Sequence, residues 1–309
     1  MYSVGSTVWG RKWPNRHDQV LANASHIYVI SLPRRVDRRR DIETLFSTLG
    51  LHWDYEDAVD ADDEVVSNIY RQVQMERSIK RNFSHNWASR SDAVPSDPGY
   101  RPSSATPLTC ATEDNIIPVY NSSIPTYMVL KPAKIACWHS HLSVLRKIAN
   151  APNALDSVSV ILEDDVDMEH DIEERLYSMW PALPPLWDMI FLGHCWSDES
   201  LYPPLPLPFS KPSPLHPSST PKCTHAYAVT KAGARRLLLH LRHPPFAYSR
   251  ALDQAYSWLI QSGRLTAFSV VPSIVIQRKV GQSDVWNDGG NSTGSRWRDT
   301  LAHGVLGPN

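Results

Sequence analysis

The sequence predicts an α/β fold in which strands and helices alternate on a central, mostly parallel, Rossmann-like sheet. Three observations predict it. The chain opens with a strand, an amphipathic helix and a second strand, a β-α-β start. Further short apolar runs then alternate with helical periodicities along most of the chain. One apolar run, within SVSVILEDDV, ends in three consecutive acids, Glu163, Asp164 and Asp165. A buried strand that stops in carboxylates delivers negative charge to the C-terminal edge of a sheet, where open α/β sheets bind their ligands.

The elements follow in order. Residues 1–24 read as a polar, irregular lead-in. Residues 26–32 (HIYVISL) are β-branched and aromatic, a strand. Ile42, Leu45, Phe46 and Leu49 then recur at i, i+3, i+4 and i+7, one helical face, and Gly50 suits the C-cap. Residues 53–59 supply the next strand. Residues from about 65 to 130 form a poorly patterned insertion. Within it, residues 84–107 are rich in Ser, Pro, Asp and Arg and read as a long loop. A helix is expected over 133–149, the acid-tipped strand over 158–162, a helix near 169–180 and a buried strand over 187–192. The proline-rich stretch 203–221 reads as a loop. A strand over 224–229 and helices over 231–241 and 252–261 follow. Residues 267–276 form two late strands, or one broken by Pro272. From 286 to 309 the chain is a polar, Gly/Ser-rich tail. The main domain is therefore expected over 25–285.

Composition narrows the function. Lys plus Arg number 31 and Asp plus Glu 32, a formal net charge of −1, so nothing global argues for nucleic acid or an anionic membrane as partner. No window approaches 18 apolar residues, so no membrane span is expected. The N-terminus lacks an apolar h-region, so no signal peptide is expected in this chain, and localisation stays open. The four cysteines form no CxxC pair and match no zinc spacing; two disulfides or none are possible. Asn-X-Ser/Thr acceptors begin at Asn23, Asn82, Asn121 and Asn291, which permits a secretory location.

Each candidate site has a plain alternative. Adjacent carboxylates at 163–165 repel one another, and a hard divalent cation would remove that cost; the plain reading is a solvated acidic turn. Arg34, Arg35, Arg38, Arg39 and Arg40 crowd the first strand-to-helix turn, where helix N-termini and Arg forks hold phosphate. Their plain reading is a solvated face, with Asp37 and Asp41 as partners. His139 and His141 are two apart and on different helical faces, so they make a poor metal pair. No GxGxxG, GxxxxGK[ST] or GxSxG occurs, which argues against a glycine phosphate loop and a serine hydrolase. Trp187 or Trp196 could stack on a sugar, although core packing is the commoner use. Asp253 and Asp284 are candidate bases or simply helix- and loop-favouring charges.

Six segments, taken together and in order, resemble glycosyltransferase family 25. They are YVISLPRRVDRRRDIETLFSTLGL, KIACWHSHLSVLRKIA with Cys137, Ser140 and His141, VILEDDV, WDMIFLG, THAYAVTKAGARRLL, and the Gln277…Ser283-Asp284 ending. Ser31 stands where the family usually has Asn, and Ala133-Lys134 where Gly-Glu is common. The resemblance implies a GT-A type fold. It also implies inverting transfer of a hexose, galactose or glucose, from a UDP-sugar to a hydroxyl on a glycan, lipid-linked glycan or protein, with Mn²⁺ or Mg²⁺. By the same resemblance Asp165 and Glu163 would hold the metal. Arg35, Arg38, Ser140, His141, Glu163 and Asp164 would meet the nucleotide sugar. Asp253, with Asp284 second, would be the base. A catalytically silent relative that binds nucleotide sugar or glycan, prompted by Lys134, and a nucleotidyltransferase are the competing readings.

Overall fold

A computed structural model describes residues 21–79, 107–207, 211–278 and 300–307. The first strand, β1 (Ala24–Ser31), holds Ile27, Tyr28, Val29 and Ile30 in succession, all buried, as a strand covered on both faces requires. Helix α1 (Val36–Leu49) buries Ile42, Leu45 and Phe46 completely. Gly50 caps it in the left-handed region at φ 67°, as its sequence position predicts. Strand β2 (Asp54–Asp57) and helix α2 (Glu64–Ile79) follow, so the predicted insertion begins with a helix. Residues 84–106 of the predicted loop lie outside the described residues.

Helix α3 (Pro132–Asn150) starts on a proline whose missing N–H would be unpaired there in any case. Strand β3 (Val158–Glu163) is buried until its last residue. Beyond it come β4 (Val166–Met168), α4 (Ile172–Met179), β5 (Met189–Phe191), β6 (Leu215–Pro217), β7 (Ala226–Thr230), α5 (Lys231–Leu241), α6 (Leu252–Gln261), β8 (Ala267–Val270) and β9 (Val275–Gln277). The proline-rich loop thus contains a short strand, β6. Residues 267–276 resolve as two strands, which join different sheets.

Among the described residues, seven strands form the main sheet in the order β2-β1-β3-β7-β5-β8-β6. Five run in one direction; β7 and β6 run against them, so the sheet is mostly parallel as expected. The flanking helices divide between the faces. Ile42, Leu45 and Phe46 of α1 pack in one core, and Trp138, Leu142 and Leu145 of α3 pack with α5 and α6 in the other. From β1 the chain winds to β2 on one side and to β3 on the other, through helices on opposite faces. The C-terminal ends of β1 and β3 therefore flank a topological switch point, where such sheets open a ligand crevice.

The predicted polar tail differs from expectation at residues 300–307, which dock on β4. Buried Asp167 accepts the Val305 and Leu306 amides, and buried Glu169 accepts those of Ala302 and His303. Backbone N–H groups thus satisfy acids that burial would otherwise penalise. Among the described residues, no helix is long and apolar enough to cross a membrane.

Lys134, which departs from the family pattern, is buried at 7% exposure. Its Nζ donates to the Tyr127 carbonyl at 2.5 Å and the Val129 carbonyl at 2.9 Å, stitching the 126–129 turn to α3. Lys134→Ala is expected to lower stability by about 1–3 kcal/mol, since it strands two carbonyls. Urea denaturation checks this; an unchanged midpoint would remove the stitching role.

Candidate functional site

The acids of 163–165 stand at the switch point because of strand register. Ile30 of β1 pairs with Glu163 of β3, so Ser31 lies beside Asp164. Strand β7 runs antiparallel to β3 and enters at the same edge, where the Glu163 amide donates to the His225 carbonyl at 2.9 Å. That entry brings Thr224 and Cys223 to the acids. The small sheet of β4 and β9 pairs Val166 with Gln277 and sets Gln277 next to Asp165. Gly193, just past β5, permits the approach of β9. A Cβ there would run into the Val275 carbonyl and the His225 ring.

The three acids have different surroundings. Asp164 is committed to the protein: Oδ2 accepts Ser31 Oγ at 2.8 Å and Oδ1 accepts Arg38 Nη1 at 2.9 Å. Glu163 takes both its bonds on Oε1, from Thr224 Oγ1 at 2.6 Å and, at 3.3 Å, with His141 Nε2. Oε2 is left without a hydrogen bond among the described residues, and a quarter of the side chain is exposed. Asp165 Oδ2 accepts Gln277 Nε2 at 3.1 Å and lies 3.2 Å from Arg38 Nη1. Asp165 Oδ1 is buried with no hydrogen-bond partner among the described residues.

Burial and the neighbouring Glu163 push the Asp165 carboxyl up to about 7. Burial works the same way on Glu163, but the His141 and Thr224 contacts outweigh it and bring that group down to about 2. The group therefore pairs one firmly ionised carboxylate with one whose ionisation is opposed by burial and Glu163 more strongly than Arg38 supports it. A divalent cation fits this set: it would bind Glu163 and Asp165 through hard oxygen donors and satisfy the orphan Oδ1.

The other predicted residues fall as follows. Arg38, from the first turn of α1, bridges Asp164 and Asp165. Arg35 pairs with Asp37, the partner expected of a solvated face, yet lies close enough to Arg38 to weigh on its charge. Arg34 and Arg39 pair with Asp60 and Asp57. Ser140 is buried; its Oγ accepts the Val59 amide and donates to the Ala136 carbonyl, so it fastens the loop after β2 to α3. His141 is buried too, with Nδ1 on Tyr227 Oη at 2.9 Å and Nε2 on Glu163, so it orients the acid.

Asp253 lies in the first turn of α6. Its Oδ1 accepts its neighbour's amide, and Oδ2 accepts the Cys223 amide at 3.2 Å. Thr224, next in sequence to Cys223, bonds Glu163, so one peptide links Asp253 to the acid cluster. Asp284 lies outside the described residues. Trp187 packs in the core against Trp180, whereas Trp196 is 56% exposed. Of the cysteines, Cys195 and Cys223 form a disulfide; Cys110 and Cys137 are free. The bond ties the loop after β5 to the residue whose amide holds Asp253. Ser31, Thr224 and Cys223 join the site, although the sequence singles out none of them as a site residue. Ser31, as a departure from the family pattern, and Thr224, at the start of the THAYAVTKAGARRLL segment, carry a sequence signal; Cys223 carries none.

The protein-family model described as "Glycosyltransferase family 25 (LPS biosynthesis protein)" matches residues 24–199, which is more than half of the chain. A search of curated proteins returns no match.

Proposed function

The chain belongs to glycosyltransferase family 25, and from that premise we propose that it is a metal-dependent, inverting hexosyltransferase. It moves galactose or glucose from a UDP-sugar to a hydroxyl of a glycan, lipid-linked glycan or protein. The observation that carries this reading is the orphan Asp165 Oδ1 at the switch-point crevice, two residues on from Glu163, whose Oε2 has no hydrogen bond among the described residues. Together they make a cation site where a nucleotide diphosphate belongs.

Glu163 and Asp165 would hold Mn²⁺ or Mg²⁺. Bound there, the ion supplies Lewis-acid charge neutralisation to a diphosphate leaving group. The chain's own residues do the rest. Arg38 fixes Asp164 and Asp165 in place, and Arg35 extends positive charge toward the entering phosphates. His141 and Thr224 keep Glu163 ionised and, by bonding Oε1, leave Oε2 for the ion. Asp253 takes the proton of the acceptor hydroxyl. A carboxylate suffices because that proton leaves late, as charge develops on the acceptor oxygen. Lys134 has a structural role of its own, through the Tyr127 and Val129 carbonyls and the Cys110 thiol.

A panel of UDP-sugars tests the reading. Release of UDP from UDP-galactose or UDP-glucose is expected with Mn²⁺ and not with EDTA. No metal-dependent turnover of any UDP-sugar in the panel would contradict it.

A further inference from the structure

A cavity of about 250 Å³ opens beside the first turn of α6. Gln254 and Trp258 of α6 form one wall, Tyr127 and Glu113 of the 107–130 segment another, and Lys222 and Arg250 contribute positive charge. Two neighbours of Asp253 take part directly. Gln254 follows it in sequence, and Lys222 precedes Cys223, whose amide holds the Asp253 carboxylate. The cavity therefore lies next to the proposed base.

Arg250 is the informative residue. It is only 2% exposed, yet its guanidinium meets neutral acceptors: Ser249 Oγ, the Thr112 carbonyl at 3.1 Å and Asn115 Oδ1. No carboxylate among the described residues pairs with it, and burial pushes it down to about 10. Its guanidinium also lies over the Phe246 and Trp258 rings, at 5.2 and 5.9 Å, but hydrogen bonds and rings without an anionic partner offset the desolvation of a buried cation only in part. Two more cations stand behind it, since Lys134 and Arg77 both act on the Cys110 thiol that lines the cavity. Of the acids nearby, Glu113 lines the cavity and is exposed, and Asp253 lies behind its wall, next in sequence to Gln254. Three of the five guanidinium N–H groups are used by these bonds, which leaves donors for a ligand anion. Tyr127, half exposed, offers an apolar ring of the kind that lines small-molecule sites, and Trp258, packed against Phe246 and Arg264, completes the wall.

We propose that this cavity is the acceptor subsite and receives a sugar unit bearing an anionic group, a carboxylate or a phosphate, read by Arg250. The assignment to the acceptor rests on Asp253 being the base; the anion preference rests on Arg250, with Lys222 adding positive charge. The ring lies against Trp258 and Tyr127, and Gln254 meets its hydroxyls beside Asp253.

Calorimetric titration of the full chain with methyl β-glucuronide, glucose 6-phosphate and methyl β-glucoside, at constant ionic strength, tests this. At least one anionic sugar is expected to bind ten-fold or more tightly than the neutral glucoside. Which one does so tells carboxylate from phosphate. Arg250→Gln is expected to erase that difference. Equal binding of all three by the wild type would overturn the proposal, as would discrimination retained in Arg250→Gln. If that variant does not fold, the wild-type comparison decides, with Lys222→Gln expected to weaken the anionic sugars alone. Titration of UDP with Mn²⁺ into the same wild-type protein separates the two ideas. Binding of UDP without sugar discrimination defeats the subsite and spares the transferase; discrimination without UDP binding keeps an anionic-sugar site at Arg250 but overturns its role as acceptor subsite.

Discussion

Asp165→Asn is expected to abolish Mn²⁺-dependent turnover of the UDP-sugar, with a fall in kcat on the order of 10³ or more, comparable to removing a principal electrostatic group from a transition state. The fold should survive, and the variant should be at least as resistant to heat as the parent. Asp165 is a buried acid beside Glu163, held up at about 7 by burial and by that neighbour's charge. A neutral amide of the same shape removes the desolvation and repulsion that the ionised acid suffers. It also removes one charge opposite Arg38, which keeps Asp164 as its partner. Loss of activity with retained or raised stability is the signature of a group kept for chemistry. Full metal-dependent activity in this variant would take Asp165 out of the site.

Asp253→Asn is expected to lower kcat by about 10²–10⁴, the usual contribution of a positioned acid or base, while the affinity for UDP with Mn²⁺ changes less than about two-fold. The side chain accepts two backbone amides, from Gln254 and Cys223. An Asn carbonyl can keep one of them, so modest destabilisation accompanies the loss of rate. Steady-state kinetics together with a direct UDP titration separate the outcomes. A large loss of UDP affinity with kcat unchanged would assign Asp253 to donor binding instead.

Much of this site is legible in the amino-acid sequence. The acids of 163–165 declare themselves because a five-residue run, four of them apolar and three β-branched, stops in charge. Helices α5 and α6 match their predicted bounds because their apolar stripes are continuous and their ends abrupt. The partners of the acids are not legible in the same way. Thr224 is 61 residues from Glu163, and Gln277 is 112 residues from Asp165. Both contacts arise from antiparallel register, in β7 and β9, which no local pattern states. The docked segment 300–307 serves two buried acids through main-chain amides, and main-chain donors leave no side-chain signature. Helix α2 carries a helical stripe, Val66, Ile69, Tyr70 and Val73, obscured by the polar residues around it. The basic turn at 34–40 shows the limit of a charge run as a guide to function. Arg38 reaches the acids, whereas Arg34, Arg35 and Arg39 pair with Asp60, Asp37 and Asp57.

Central to the proposed function is a divalent cation held by Glu163 and Asp165 at the switch point of the sheet. Titration of the full chain with Mn²⁺, followed by electron paramagnetic resonance in the presence of UDP, tests it most directly. One saturable Mn²⁺ site per chain is expected, tightened by UDP and lost in Asp165→Asn. Absence of saturable binding, or a site of the same affinity in that variant, would contradict it.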